Sequence, residues 1–582
     1  MGEPTTRHEV LGAEELRLWV HEAMDLLTVA RPVIDRANVF PVADADTGTN
    51  MCLTLAQGRA SVDALAAGAD VETVLDALAQ GALLGARGNS GVILSEYLRG
   101  FAAGARSVSG EAAAAMVAAA LREGAGCAYA AVGQPRQGTI LTAATGAAGA
   151  ADAALGRGAD LAGVLEAARS GAHAALRRSA DDLDVLRAAG VLDAGAYGLV
   201  LVLDALGRVL TAAEPMSAVQ GSMSPMTVMT TLSVEPSARG DASAVGQAHP
   251  SRAAAHDEDR PRDLDRVVDG EFEVMYVVEK GPDDPDEDDV PLAELAGRLR
   301  AQLQEVGDSV AVVGGATARG PEGRARGLWQ VHVHTDRPLD ALEVGRRWTQ
   351  RQVVVRSLAQ QVSCATASDP TTATEEAGTR PGPAVVGVVA CTASPGLVPE
   401  LARAGAVVVL EASVPVVLTD LQRAVEETGA HEVLVLPADT TTADLARAWA
   451  ASPVVTAERG PGRVHVVGST SDLHVVTAMA HWATVPHGSA AHEVVAAMVA
   501  AVGAVRAVEV PAADSEGATV AVAELLAGAR GAATVVTVLA DELVPADVVA
   551  DLARAATRLS PGIDVVVLPS GRRSTALVLG VE

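Results

Sequence analysis

The chain has 582 residues, of which 49% are hydrophobic and 2% aromatic, and its formal net charge is −29 at pH 7. At about 100 to 200 residues per domain, this length predicts about three domains, with cores filled by Ala, Val and Leu. The negative charge argues against nucleic acids and anionic membranes as partners, because both would be repelled.

The four cysteines, Cys52, Cys127, Cys364 and Cys391, are far apart and lack CxxC spacing. This pattern is typical of reduced cysteines in a cytoplasmic protein. The N-terminus has no apolar core like that of a signal peptide, and no uncharged apolar run approaches about 18 residues. We therefore expect a cytoplasmic protein without membrane insertion.

Residues 13–210 have apolar side chains at three- and four-residue spacing, interrupted by glycine-containing turns. This periodicity predicts an all-α domain, which we assign to residues 1–214. The first prominent turn, 38–51, has the sequence NVFPVADADTGTNM. Asp44 and Asp46 can present the hard oxygen ligands that Mg²⁺ prefers. Gly48 would let the backbone approach a phosphate, beside neutral donors from Thr47, Thr49 and Asn50.

An acidic surface loop that caps a helix is the alternative interpretation of this turn. An EF-hand is excluded, because the fifth and twelfth loop positions are Gly48 and Leu55. Three more turns, at 85–91, 138–142 and 191–198, could offer backbone amides to anionic oxygens. The only lysine is Lys280 and the chain has no GxxxxGK[ST] motif, so a P-loop kinase is also excluded.

Residues 215–265 are rich in Ser, Met, Pro and charge, and predict a flexible linker. Residues 266–365 predict a middle α/β domain, with strands at 272–278, 309–313 and 329–334 and helices at 292–306 and 339–350. In the last of these strands His332 and His334 are two residues apart, so both imidazoles face one side and could bind one metal. A polar strand face without metal remains the alternative.

A second linker is predicted at 366–383, before a C-terminal domain at 384–582. Short apolar runs alternate there with helical stretches, which predicts an α/β domain with a largely parallel sheet. The runs lie at 385–390, 406–410, 432–436, 464–467, 533–538 and 563–568.

The four N-terminal turns, in this order and spacing, resemble the nucleotide-binding domain shared by the L subunit of dihydroxyacetone kinase and the kinase subunit of bacterial fatty acid kinase. The segments 38–42 and 88–94 are more similar to the fatty acid kinase branch. The resemblance implies a multidomain protein, with an all-α antiparallel helical barrel followed by the two α/β domains. It also implies ATP and Mg²⁺ as cofactors, with Asp44 and Asp46 as catalytic magnesium ligands.

The resemblance extends to individual residues of the nucleotide site. Asn38 would take the place of a third aspartate and be a weaker, neutral ligand. Asp193 would close the pocket, and glycine usually occupies the position of Ala45, where we expect the methyl group to be tolerated if φ is negative. Further phosphate or nucleotide contacts are implied for Thr47, Thr49, Asn50, Asn89, Ser90 and Thr139.

The kinase subunit of fatty acid kinase has a similar His-x-His pair, which forms a zinc site with a cysteine from an earlier strand. Aligning the strands puts Glu273 in the place of that cysteine. A carboxylate can replace a thiolate on Zn²⁺, but it would also admit other divalent ions. We therefore expect Glu273, His332 and His334 to form a metal site that can hold zinc.

In fatty acid kinase a second protein carries the acyl chain, and its carboxylate is already ionised and needs no general base. The resemblance thus implies an ATP-dependent phosphotransferase that makes acyl phosphate from a carrier-bound fatty acid. It also implies a homodimer and a partner-binding C-terminal domain. The alternatives are a dihydroxyacetone (glycerone) type of small-metabolite kinase and a nucleotide-binding regulatory scaffold without turnover.

Overall fold

The computed structural model describes residues 11–41, 43–108, 112–211, 270–281, 292–317, 326–359, 386–452, 463–485, 489–511, 514–529 and 533–582. The predicted linkers at 215–265 and 366–383, together with Cys364, lie outside the described residues. The chain forms two compact units, one within residues 1–130 and 135–269 and one within 131–134 and 270–582. No helix among the described residues is long and apolar enough to cross a membrane.

The elements in the described part of the first unit are all helices, as the sequence predicts. Asp70 and Asp160 begin two of the helices, and each side chain accepts a hydrogen bond from a backbone amide of the first turn. The helices are α1 (Ala13–Arg36), α2 (Thr47–Asp63), α3 (Val71–Gly85), α4 (Gly88–Ser107), α5 (Ala113–Ala131), α6 (Ile140–Gly156), α7 (Leu161–Asp182), α8 (Asp184–Ala189) and α9 (Ala194–Thr211).

Small residues let these helices pack with their backbones close together. A Cβ atom at Gly104 would collide with the backbone of Ala119, and one at Gly171 with the backbone of Gly146. Trp19 of α1 is fully buried, and its Nε1 donates to the carbonyl of Val202 in α9 at 2.9 Å. This packing of α4 on α5, α6 on α7 and α1 on α9 fixes the helix ends that carry the candidate site.

The second unit contains a large sheet of eight strands in the order β2-β3-β1-β4-β6-β5-β7-β8. Pairing is antiparallel from β2 to β6 and parallel from β6 to β8. The strands are β1 (Phe272–Lys280), β2 (Asp308–Thr317), β3 (Arg326–Thr335), β4 (Thr349–Ser357), β5 (Val386–Thr392), β6 (Ala406–Leu410), β7 (Glu432–Leu436) and β8 (Arg463–Val466).

A smaller sheet in the order β11-β10-β12-β9 completes the strands, with β10 and β11 parallel and the other pairs antiparallel. Its strands are β9 (Arg506–Val510), β10 (Val535–Ala540), β11 (Asp564–Pro569) and β12 (Leu577–Val581). Helices of this unit are α10 (Leu292–Gln304), α11 (Pro338–Gly345), α12 (Val398–Arg403), α13 (Leu418–Glu427), α14 (Thr440–Ala450), α15 (Asp472–Trp482), α16 (Ala491–Ala504), α17 (Ser515–Gly528) and α18 (Ala546–Leu559).

The large sheet crosses the boundary expected between the middle and C-terminal domains. Val353 and Val355 of β4 pair with Leu410 and Val408 of β6, so strands from both predicted domains belong to one sheet. The helix expected at 339–350 ends at Gly345, and β4 begins at Thr349. The β-branched run in β4 explains this difference, because valines favour a buried pleated strand. The largely parallel sheet expected for the C-terminal part therefore describes only β6 to β8 and the β10–β11 pair.

Candidate functional site

The turn that contains Asp44 and Asp46, which we call the acidic turn, lies between α1 and α2. Both aspartates are partly exposed. Asp46 is the N-cap residue of α2, yet its side chain makes no cap hydrogen bond. Asn38 is buried, and its Nδ2 donates to Oδ1 of Asp44. This hydrogen bond holds the Asn38 amide against Asp44, and the ligand role expected for Asn38 stays a prediction.

Ala45 has a φ of +56°, in the left-handed region of backbone conformation. The sequence expectation depended on a negative φ at this position, so that condition is wrong. A Cβ atom in this region approaches the following carbonyl oxygen and strains the backbone. The acidic turn therefore keeps a backbone suited to glycine although this chain carries alanine there.

The second turn, at the start of α4, packs directly against the first turn of α2. Oγ1 of Thr47 lies 3.1 Å from Oγ of Ser90, a hydrogen-bond distance. Gly88 has a φ of +51°, and a Cβ there would collide with Nδ2 of Asn50. Asn89 is half-buried at the same turn. Candidate residues from the two turns, about 40 positions apart in the sequence, thus lie at one place.

Arg87 precedes this turn and was not predicted as a site residue. Its side chain is buried, and Nη1 donates to the carbonyl of Gly85 at 2.9 Å. The backbone amide of Arg87 lies 3.3 Å from Oγ1 of Thr54 in α2. Arg87 therefore fixes the shape of the second turn. In the sequence the only sign of this role is a single charged residue among small ones.

The third and fourth turns meet at the N-termini of α6 and α9. Thr139 caps α6, with its hydroxyl donating to the carbonyl of Arg136 at 2.9 Å. The Asp193 carboxylate accepts hydrogen bonds from the backbone amides of Ala196, at 2.7 Å, and Ile140. Burial raises the pKa of Asp193 to about 7, although both amides oppose the shift. Asp193 thus joins two helix ends from within the protein.

Gly198 brings the N-terminus of α9, and with it that of α6, close to the N-terminus of α2 beside the acidic turn. A Cβ there would collide with Sδ of Met51, and both residues lie one turn into their helices, α9 and α2. All four glycine-containing turns therefore lie at the same end of the helical unit. The N-termini of α2, α4, α6 and α9 supply amides and partial positive charge at this end, which favours anions.

Asp35, in the last turn of α1, is a further residue of this site that the sequence analysis did not single out. Its Oδ1 accepts from the backbone amide of Thr49, and its Oδ2 from the Thr49 hydroxyl, both at 2.9 Å. Burial raises the pKa of Asp35 to about 6, and the charge of Asp46 adds to the shift. An acidic residue near a helix C-terminus is unfavourable, because it opposes the helix dipole. The position of Asp35 at the end of the first predicted helix could therefore have indicated a special role.

The donor set of the acidic turn fits Mg²⁺ and phosphate. Asp44 and Asp46 contribute carboxylate oxygens, and Thr47, Thr49 and Ser90 contribute hydroxyl groups. Hard oxygen ligands of this kind suit Mg²⁺, which usually shares its coordination shell with water and phosphate. The side chain of Asp46 makes no N-cap hydrogen bond to α2, which is the observation that favours a ligand role.

A second cluster lies on the large sheet, where β1 pairs with β3. Glu273, His332 and His334 are buried, and one ligand atom from each lies within 4.8 Å of the others. Nδ1 of His332 is 3.3 Å from Oε1 of Glu273. The pairing of Glu273 with His334, and of Met275 with His332, brings the three side chains together. The structure thus brings together the three residues that the sequence analysis assigned to one site, while metal binding there stays a prediction.

The electrostatics of this second cluster are partly suited to a metal ion. Burial lowers the pKa of His332 to about 3, which keeps the imidazole neutral, as metal ligation requires. Neither ring nitrogen of His332 makes a hydrogen bond of good geometry, although Nδ1 contacts the Glu273 carboxylate. Burial alone would raise the pKa of Glu273, but the charge of the Arg356 guanidinium that contacts it holds the pKa at about 2. Arg356 thus adds a positive charge that the sequence analysis did not anticipate.

Three family models match successive parts of the chain. A DAK2 domain matches residues 41–208, the middle domain of FakA-like fatty acid kinase proteins matches 270–364, and the C-terminal domain of the same FakA-like proteins matches 387–525. The chain belongs to the FakA-like fatty acid kinase family, with a DAK2 domain. The family expected from the sequence is therefore confirmed.

Relatives within this family support the assignment. Protein YloV of Bacillus subtilis is 30% identical over 412 residues, which cover 69% of this chain and 66% of YloV. An uncharacterized protein of Staphylococcus haemolyticus is 38% identical over 179 residues, or 31% of this chain and 32% of that protein. The chain thus matches less than two thirds of the length of either relative.

Two solved structures show weaker likeness to this family member. A DegV family protein, Cg2579 of Corynebacterium glutamicum, is 15% identical, covering 34% of this chain and 96% of that chain with a TM-score of 0.28. The dihydroxyacetone kinase of C. freundii, in complex with AMP-PNP and Mg²⁺, is 16% identical and covers 36% of each chain with a TM-score of 0.25. Similarity at this level supports no conclusion about this chain.

Proposed function

We propose that this chain is the ATP- and Mg²⁺-dependent kinase component that phosphorylates the carboxylate of a fatty acid presented by a separate carrier protein. The product is an acyl phosphate. The observation that carries the proposal is the meeting of Asp44, Asp46, Thr47 and Ser90 at one end of the helical unit, where four helices begin. Membership of the FakA-like fatty acid kinase family supports the substrate class.

Each residue of the site has a defined part in this proposal. Asp44 and Asp46 hold the magnesium ion, and Asn38 orients Asp44 through its amide. Mg²⁺ held there would neutralise charge that spreads over phosphate oxygens during transfer. Thr47, Asn50, Asn89 and Ser90 contact phosphate groups, while Thr139 and Asp193 hold the neighbouring helix ends in place.

A carboxylate substrate suits a site of this composition. One of its oxygens forms the new bond to the terminal phosphorus of ATP, the bond from that phosphorus to the bridging oxygen breaks, and ADP leaves. A carboxylate with a pKa of about 4 to 5 is already ionised, so no proton has to be removed. The protein therefore contributes positioning and charge neutralisation, which are the main requirements of phosphoryl transfer.

The test compares ATP consumption by the purified chain with Mg²⁺, alone and with a lipid-loaded carrier protein. We expect carrier-dependent acyl phosphate formation that falls by about 100-fold or more in Asp46→Ala, because a ligand that stabilises developing charge is lost. Asp70→Ala is the control, since Asp70 caps α3 at the opposite end of that helix from the site and should leave the rate unchanged.

The other outcomes separate the alternatives. Turnover of a small hydroxylated metabolite without the carrier would identify a dihydroxyacetone type of kinase. Nucleotide binding without phosphoryl transfer in any substrate mixture would identify a regulatory scaffold. Full activity of Asp46→Ala would show that the magnesium ligands are assigned wrongly.

For the second cluster, we propose that Glu273, His332 and His334 bind one divalent ion in a structural role. Two imidazoles and one carboxylate form a harder ligand set than one with a cysteine thiolate, so Zn²⁺ is one of several ions that it can accept. Arg356 opposes the bound ion by its charge. We therefore expect this site to bind a divalent ion more weakly than the same three ligands would without the guanidinium.

A further inference from the structure

The N-terminus of α2 is capped in an unusual way. An aspartate at an N-cap normally accepts a hydrogen bond from the amide of the second or third helical residue. Asp70 does so in α3, where it accepts from the Thr73 amide at 2.8 Å. Asp46 holds the same position in α2 but makes no such bond. Some other group must therefore satisfy the amide of Thr49, the third residue of α2.

Asp35 supplies that bond from α1, 11 positions before Asp46 in the sequence. Its Oδ1 lies 2.9 Å from the Thr49 amide nitrogen, and its Oδ2 lies 2.9 Å from the Thr49 hydroxyl oxygen. Gly48 allows this approach, because a Cβ there would lie 2.9 Å from Oδ1 of Asp35 and 2.7 Å from the carbonyl oxygen of Arg31. Both carboxylate oxygens of Asp35 are thus used by the first turn of α2.

We propose that Asp35 is a positioning residue, which caps α2 in place of Asp46 so that the Asp46 carboxylate can coordinate the divalent cation. This inference rests on the proposed function, since it explains how one of the proposed metal ligands is kept from capping its own helix. Without Asp35, the Thr49 amide lacks its acceptor and Asp46 is the nearest residue in sequence able to replace it. Cation binding then has to break the new cap bond.

The same geometry changes the role expected for Thr49. Its hydroxyl has one hydrogen, which it donates to Asp35, so its oxygen can offer only lone pairs to other groups. Lone pairs suit a cation or a water molecule bound to one, whereas a phosphate oxygen requires a donor. Asp35 thereby directs two groups of the acidic turn, Asp46 and Thr49, toward the cation.

The test measures Mn²⁺ binding to the full chain in the presence of ADP by electron paramagnetic resonance, so that no turnover is needed. If Asp46 takes over the cap in Asp35→Ala, Mn²⁺ binding should weaken by about 2- to 30-fold, which is the range of a typical N-cap contribution expressed as affinity. Asp35→Asn keeps one acceptor oxygen and should lie between Asp35→Ala and the wild type. It also serves as the informative variant if Asp35→Ala does not fold.

Asp70→Ala is the matched control, because it removes the same kind of cap bond from α3 and should leave Mn²⁺ affinity unchanged. In an Asp46→Ala background, adding Asp35→Ala should cause no further loss. A further loss of the same size there, or wild-type affinity in the Asp35 variants, would overturn the positioning role. If Asp46→Ala itself binds Mn²⁺ as the wild type does, or the wild type binds none, the proposed cation site fails and the role of Asp35 fails with it.

Discussion

Ala45 separates the two proposed magnesium ligands and adopts a backbone conformation that L-residues with a Cβ atom rarely adopt. Its φ of +56° matches the conformation that glycine adopts without strain. The resemblance implied that alanine replaces a glycine here, but the sign of φ could not be derived from the residue type. The sequence therefore predicted two carboxylates in one turn, but it did not predict the backbone conformation between them.

Replacing Ala45 with glycine should stabilise the protein. Removing the Cβ relieves about 1 to 2 kcal/mol of left-handed strain, and the greater freedom of glycine in the unfolded chain offsets part of it. We expect a net gain of about 1 kcal/mol in the free energy of unfolding, measured with urea. Ala64→Gly is the control, because Ala64 at the end of α2 has a φ of −74° and should give no gain. Equal effects of the two substitutions would contradict a strained Ala45.

Asp193 should make the stability of the helical unit depend on pH. Burial raises its folded pKa to about 7 from 3.8, so the folded state binds a proton more tightly than the unfolded state does. Its contribution to stability is thus complete below pH 4 and is lost as the pH rises to 7, by about 1.4 kcal/mol per pH unit within that window.

Asp193→Asn, which mimics the neutral carboxyl group, should remove this dependence. The measurement is the free energy of unfolding of both proteins at pH 5 and pH 8. We expect the free energy of unfolding of the variant, measured relative to that of the wild type, to be higher at pH 8 than at pH 5. If the difference between the two proteins were the same at both pH values, Asp193 would not carry the shifted pKa.

At the scale of elements, the contact of α4 with α2 decides whether the first two turns form one site. Gly88 has both a positive φ and a close contact with Asn50, whereas Gly158 has a φ of +80° with open space around the position of a Cβ. Alanine at either position should therefore cost about 1 kcal/mol of stability through backbone strain.

Only Gly88→Ala should also impair phosphoryl transfer, because its methyl group displaces Asn50 from the turn. We expect a rate loss of about 10-fold or more for Gly88→Ala, and the wild-type rate for Gly158→Ala, in the carrier-dependent assay at a temperature where both are folded. Similar rates for the two variants would mean that Asn50 does not depend on this contact.

The β1–β3–β4 region offers a second test at this scale. Arg356 of β4 pairs in register with Glu273 of β1, and its charge opposes an ion held by Glu273, His332 and His334. Arg356→Met should therefore raise the affinity for Co²⁺ by about 10-fold or more, because a buried carboxylate is left to be neutralised by the ion. The visible absorption of bound Co²⁺ measures this affinity.

Arg356→Lys preserves the charge and is the control, with an affinity near that of the wild type. If the methionine and lysine variants bound Co²⁺ equally, charge would not limit the site. Removal of metal from the wild type by a chelator should lower its melting temperature if the ion has a structural role. The sequence predicted the three ligands from a two-residue spacing and a resemblance. The place of Arg356 beside them could not be predicted, because it depends on the register of β4, a strand that the sequence analysis did not predict.

At the scale of the whole molecule, periodicity alone predicted the helical character of the first unit and the α/β character of the second. It could not show that Thr47 lies beside Ser90, or that Asp193 reaches Ile140, because such contacts depend on how distant helices pack. The resemblance supplied the common site for these turns, and the structure supplied Asp35, a residue with no motif of its own. The helical barrel implied by the resemblance stays a prediction.

The pairing of β4 with β6 has a consequence for how this protein can be divided. A cut within residues 366–383 would follow the boundary between two family models, yet it would leave each fragment with a row of unpaired backbone amides and carbonyls at the edge of its sheet. Exposed edges of this kind promote aggregation. The segments on either side of that boundary should therefore be kept together in expression and in chimaeras between relatives. The workable place to divide this chain is between its first and second units.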